Sequence, residues 1–161
     1  MKTKWLCGGI IFLGLLILSV GFLDLVKAQY NSDVRITEFN PKYTLEIKST
    51  DKGVNFGYVT VRNYGDPASV CVYFVMNPGE NNEKSFYTVS TGMYGEFNEF
   101  TFKLSTFRYD LPDTIPNKLS LGIKVWGDAS NCQGGQNTVN WGDENTRIWE
   151  VNVVSSDDTY S

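Results

Sequence analysis

Beyond its first 28 residues the chain predicts an all-β fold, an antiparallel sandwich of about seven to nine strands, on three observations. Short runs alternate apolar and polar side chains with period two. Clusters of Gly, Pro, Asn and Asp separate those runs at intervals suited to turns. No segment of useful length after Gln29 repeats its apolar residues at the helical spacing of ~3.6. A closed barrel satisfies the same pattern, so both architectures stay open at this level.

The first element is the exception. Lys2 and Lys4 precede an apolar run from Trp5 to Leu23 that is hydrophobic on every face, and Asp24 ends it. Such a segment is a targeting or membrane element rather than part of a core. Val26-Lys27-Ala28 places small or branched residues at the −3 and −1 positions of a signal-peptidase site before Gln29. Roughly 19 apolar residues are also long enough to cross a bilayer as a single-pass anchor. Residues 1–28 therefore read as a signal peptide or a retained anchor, residues 29–154 as the domain, and residues 155–161 as a disordered polar tail.

Within the domain, Val34–Phe39 alternates until Pro41 interrupts it. Tyr43–Lys48 sets Tyr43, Leu45 and Ile47 against Thr44, Glu46 and Lys48. Asp51-Lys52-Gly53 turns the chain into Val54–Arg62, rich in the Val, Tyr, Phe and Thr that suit strands. Ser69–Met76 is apolar on both faces, which predicts a central strand covered twice. Asn77-Pro78-Gly79 makes the next turn and Ser85–Ser90 a modest strand. Glu99–Leu104 alternates Phe100, Phe102 and Leu104 with Glu99, Thr101 and Lys103. Pro112 and Pro116 make a connector of residues 109–118; Leu119–Trp126 and Ile148–Val154 are the last strands, joined by a long polar loop from Gly127 to Asn145.

Charge and cysteine narrow the function classes. Without Lys2, Lys4, Lys27 and Asp24, the 14 basic and 18 acidic residues become 11 and 17, a formal charge near −6. That balance disfavours a phosphate-tracking, nucleic-acid-binding surface and leaves the apolar segment, if uncleaved, as the membrane contact. Cys71 and Cys132 form an even pair in an exported domain, a candidate disulfide that closes a loop of about 60 residues, with two free thiols as the alternative.

The chain has no histidine, which removes the Ser-His-Asp and Cys-His schemes and most zinc sites together. Paired acids remain, Glu96 with Glu99 or Asp143 with Glu144, but a glycosidase pair needs a deep cleft that a small sandwich seldom offers. The expectation is no enzyme and no organic cofactor. Asp128, Asp143 and Glu144, with Asn131 and Asn145, are oxygen donors around the long loop and make a candidate calcium site without a fixed-spacing motif. Trp126-Gly127-Asp128 and Trp141-Gly142-Asp143 bracket that loop, with Trp149 close by. Indole faces beside Asp and Asn are how modules stack on sugars; the competing role is core packing.

The run Tyr58-Val59-Thr60-Val61-Arg62-Asn63-Tyr64-Gly65 resembles the V-x-V-x-N-x-G strand-and-turn of secreted Ig-like modules, in particular the CARDB group of cell-adhesion-related domains. Val70–Met76, Phe100–Leu104, the Pro112–Pro116 connector, Leu119–Asp128 and Asp143-Glu144-Asn145 before the last strand resemble its later parts. The resemblance implies an Ig-like sandwich outside the cell and supplies no catalytic residue. The expected function is a secreted or cell-surface module for adhesion, envelope structure or protein–protein contact, with an extracellular protein or glycan as partner. One alternative is a carbohydrate-binding module using Trp126, Trp141 and Trp149. The other is a filament subunit that lends the arm Tyr30–Phe39 to a neighbour's open sheet.

Overall fold

A computed structural model of the chain describes residues 32–94, 98–128, 132 and 135–155. The apolar segment 1–28, Glu96, Asn131 and residues 156–161 lie outside that set. Eight strands form: β1 (Val34–Pro41), β2 (Thr44–Ile47), β3 (Gly53–Asn63), β4 (Ala68–Met76), β5 (Lys84–Tyr94), β6 (Glu99–Phe107), β7 (Lys118–Asp128) and β8 (Thr146–Ser155). Each predicted strand exists. Two sheets result, a three-stranded one in the order β1-β3-β6 and a five-stranded one in the order β2-β8-β7-β4-β5.

One core fills the space between them. Val59, Val61 and Leu104 of the small sheet meet Phe74, Ile123 and Val151 of the large one, all fully buried. Phe74 is the aromatic hub, stacked on Trp149 at 6.0 Å and edge-on to Phe56 at 5.9 Å. Phe39 adds an edge-to-face contact with Trp149 at 5.1 Å. Such pairings contribute about 0.5–1.5 kcal/mol each beyond the area they bury.

The expectation of purely antiparallel sheets is corrected at one point: β2 runs parallel to β8, Thr44 opposite Asn152 through Ile47 opposite Ser155. The cause lies at Pro41, the last residue of β1 to pair with β3, opposite Gly57. Proline brings no N–H to extend that ladder. The Lys42 N–H still donates to Phe56 O at 2.8 Å, and then the chain changes sheets; Asn152 N–H donates to Tyr43 O at 2.8 Å. Because the chain changes sheets without reversing, its second half arrives on β8 in the parallel sense.

The crossing needs Gly57. At φ 123° it sits where a side chain would be strained, and a Cβ there would lie 2.2 Å from Asn40 O. The β3–β6 register shifts between Asn55 and Gly57, a bulge. The extra residue moves the inward positions from Val54 and Phe56 to Val59 and Val61. At the far end of β3, Asn63 is fully buried; its Nδ2 donates to Asp66 O at 2.9 Å and its Oδ1 accepts from Gly65 N at 3.0 Å. The side chain therefore builds the turn into β4, which is what the Asn-x-Gly spacing serves.

The arm Tyr30–Phe39 is settled from Val34 onward. β1 pairs antiparallel with β3 of its own chain, Val34 opposite Asn63. In this chain it is the first strand of its own sandwich.

Candidate functional site

Successive residues of β4 face opposite sides of the sheet. Val70, Val72, Phe74 and Met76 face the core, so Cys71, Tyr73 and Val75 face outward, yet Cys71 and Val75 have no exposure. What covers them is the segment after β7. Cys71 stands opposite Trp126 in the ladder and is disulfide-bonded to Cys132, with the two Cα atoms 5.7 Å apart. Cys71, Trp126 and Cys132 form a second, smaller apolar cluster, with Tyr73 and Val139 packed against it. Cys132 adopts φ 63°, a left-handed turn. At Gly135 a Cβ would fall 2.1 Å from Trp126 Nε1, so only glycine lets the backbone lie on the indole there.

Trp141 closes the other half of this lid. Its ring rests over Gly122, where a Cβ would lie 2.8 Å from Cη2, and beside Gly79. Its Nε1 donates to Glu83 Oε2 at 3.1 Å, and Lys124 Nζ lies 4.6 Å from the ring centroid. Glu83 also accepts from Gly79 N at 2.6 Å and from Tyr73 OH at 3.0 Å. Burial, with help from the Glu83 carboxylate, holds the Tyr73 phenol above its ordinary range. The face of the five-stranded sheet is thus sealed by a loop, one disulfide and a carboxylate that ties three donors together.

The residues expected to bind sugar or calcium divide accordingly. Trp126 is 6 % exposed in the lid and Trp149 is 5 % exposed on the opposite, core side of the sheet, so neither presents a ring face to solvent. Trp141 is half-buried and committed to Glu83 and Lys124. Asp143 shapes its own turn, accepting from Asn140 N at 2.8 Å through Oδ2 and from Thr146 Oγ1 at 2.8 Å through its carbonyl. Glu144 is exposed and its carbonyl accepts from Arg147 Nη1 at 2.7 Å. Asp128 ends β7 opposite Ser69. Among the described residues no three Asp, Glu, Cys or His side chains converge as a metal would require. Of the paired acids, Glu99 is engaged by Arg62 at 3.3 Å and by Thr37 Oγ1 at 2.9 Å.

A second surface, missed by the sequence reading, lies where β6 ends. Phe107 and Tyr109 are 59 % and 76 % exposed, and their rings stack 5.1 Å apart at 7°. A 3-10 turn, Arg108–Asp110, carries them. Arg108 pins that turn forward, donating to Pro112 O and Asp113 O at 3.2 Å each, and backward through its N–H to Lys52 O at 3.2 Å. Thr106 Oγ1 donates to Asp110 Oδ2 at 3.1 Å, and Leu111 behind the turn is buried. Two grooves meet at Phe107 and Lys52. One, of about 420 Å³, runs between β5 and β6 along Val54, Phe86, Tyr87 and Ser105. The other, of about 650 Å³, is bordered by Ser49, Asp51, Arg108, Tyr109 and Asp113. At the first groove Tyr87 donates to Lys103 O at 2.9 Å, and burial drives its phenol well above the usual range.

The signal for this surface was present in the sequence. Phe107 shares parity with Glu99, Thr101, Lys103 and Ser105, the polar side of an alternating strand, and a second aromatic follows two residues on.

No family model and no curated protein matches the chain. Among solved structures it is similar to the CARDB domain of a Pyrococcus furiosus protein, which was solved in complex with di-metal ions. The two share 20 % identity over 77 % of this chain and 94 % of that one, at a TM-score of 0.46. It is also similar to part of β-glucosidase 3B from Thermotoga neapolitana, solved in complex with glycerol, at 10 % identity and a TM-score of 0.40 over 75 % of this chain and 16 % of that one. A β-glucosidase from Kluyveromyces marxianus matches at 13 % identity and a TM-score of 0.34, over 78 % of this chain and 15 % of that one. The chain thus spans about a sixth of the two glucosidases.

Proposed function

We propose that the protein is an exported, non-catalytic Ig-like module that acts at the cell surface or after secretion by binding, in adhesion, envelope structure or protein–protein contact. The observation that carries this reading is the Cys71–Cys132 bridge, which ties a loop across an otherwise bare sheet face. Such a staple forms and lasts in an oxidising compartment, the one to which the apolar N-terminal segment directs the chain. The non-catalytic part is supported by the absence of histidine from the whole sequence and by the engagement of Glu99 and Asp143 in structural bonds. An adhesive role also suits a rigid body whose exposed aromatic side chains are held by a pinned turn.

Labelling of intact cells tests the location. A membrane-impermeant amine reagent should modify the exposed Lys48 and Lys118 on whole cells, or on the chain in the medium. Labelling that appears only after lysis would sink the proposal.

A further inference from the structure

We infer that the Phe107–Tyr109 pair, with the grooves that meet at its base, is a binding site for a neutral oligosaccharide. This rests on the reading of the chain as an exported binding module and names its ligand class and its site.

Four observations point there. First, two large rings project into solvent although the core holds other aromatics and the adjoining strand offers inward positions. Contiguous exposed apolar surface of this kind marks interaction sites. Second, the rings are nearly parallel, one stacked on the other, and their turn is fixed by Arg108, Asp110 and the buried Leu111. A platform already in its binding conformation loses little freedom when a ligand arrives.

Third, the rim carries both hydrogen-bonding senses in balance. Lys52 and the Arg108 N–H groups not used on Pro112 O and Asp113 O can donate, Asp51 and Asp113 can accept, and Ser49 can do either. Two cations beside two anions favour neither a polyanion nor a polycation, but they suit hydroxyl groups, each a donor and an acceptor at once. A sugar ring shows an apolar C–H face to an aromatic plane and hydroxyls around its edge, and the outer face of the stacked pair beside a mixed-charge rim suits both. Fourth, the grooves extend from Phe107 in two directions, with volumes of about 420 and 650 Å³. Together they have room for more than one ring, so the ligand is a chain of residues rather than a monosaccharide.

The site lies apart from the lid, whose indoles are occupied. That separation gives the test its control. The full chain is titrated against neutral gluco-, manno- and galacto-configured oligosaccharides of two to about six units, and against anionic counterparts, by calorimetry and ligand-observed NMR. Binding of a neutral oligosaccharide should weaken about tenfold or more in Tyr109→Ala and in Phe107→Ala. It should be unchanged in Tyr43→Ala, which removes an aromatic that is 59 % exposed elsewhere. Near-wild-type far-ultraviolet spectra and melting curves for all three variants show that folding is intact. Asp113→Asn, which keeps the side chain's shape, tests the rim and should weaken binding severalfold.

No binding of any neutral oligosaccharide at millimolar concentration overturns the proposal, as does binding of anionic glycans alone or binding indifferent to Phe107 and Tyr109. Wild-type chain that sticks to cells or to a partner protein without any glycan overturns the sugar site and leaves the adhesive module standing. Failure of surface labelling removes the module reading instead, so the two failures are distinguishable.

Discussion

Tyr87 belongs to an edge strand, yet its hydroxyl reaches across to the carbonyl of Lys103 on the opposite sheet and its ring lines the groove below Phe107. Its phenol and that of Tyr73 are both raised from the ordinary 10.0 by loss of water. A raised pKa in the folded state means that the unfolded chain releases the proton first. The stabilisation from keeping both phenols neutral is therefore full below about pH 10 and is lost as pH climbs toward the folded values. Urea titrations from about pH 8 to 11 should show falling stability above pH 10, with a shallower fall in Tyr87→Phe. An equal slope in that variant would contradict the assignment. At this scale the sequence identified which residue types matter but not their occupations. Trp126 and Trp141 carry the same Trp-Gly-Asp signature and do different work, because one glycine neighbour lets a loop lie on the ring and another lets the ring lie on a strand. Such complementarity joins residues far apart in the chain and leaves no local pattern.

Strands were the legible elements, since period two is written into each run. Their partners were less so. Tyr43–Lys48 reads as a strand from its alternation, but nothing within it states that it leaves the sheet of β1 to pair in parallel with β8; that follows from Pro41 and the close approach at Gly57. The covering of β4 on both sides was foreseen from Val70–Met76, and its agent was not. In a strand apolar on both faces, parity does not reveal which side Cys71 occupies, so the bridge was expected without its geometry. That geometry gives a prediction for the lid as a unit. Replacing Cys71 and Cys132 together by Ala should lower unfolding free energy by about 2–4 kcal/mol. It should also shift tryptophan emission to the red as Trp126 meets water, while the far-ultraviolet signature of the sheets persists. Unchanged emission would show that Gly135 and its neighbours hold Trp126 without the bond.

As a whole molecule, the domain is one core between two sheets, and its four strand termini of sheet order are β1, β6, β2 and β5. Natural edges are guarded by short strands, charges and proline; here β2 has four residues, β1 ends at Pro41, and Lys84 and Lys103 stand on β5 and β6. Among the described residues no helix is long and apolar enough to cross a membrane. Cleavage after Ala28 predicts a mature chain that begins at Gln29. Intact mass of the protein recovered from its natural location decides this: a chain starting at Met1 is tethered, one starting at Gln29 is released.

The bond between Cys71 and Cys132 also makes the lid depend on conditions that the sandwich beneath it does not need. The sandwich is assembled from strand pairing and apolar burial, neither of which depends on an oxidant. The lid gains its staple only when an electron acceptor is at hand. If the loop lifts when the bond is absent, Cys71 and Trp126, buried in the bonded protein, become apolar surface on the outer side of the sheet.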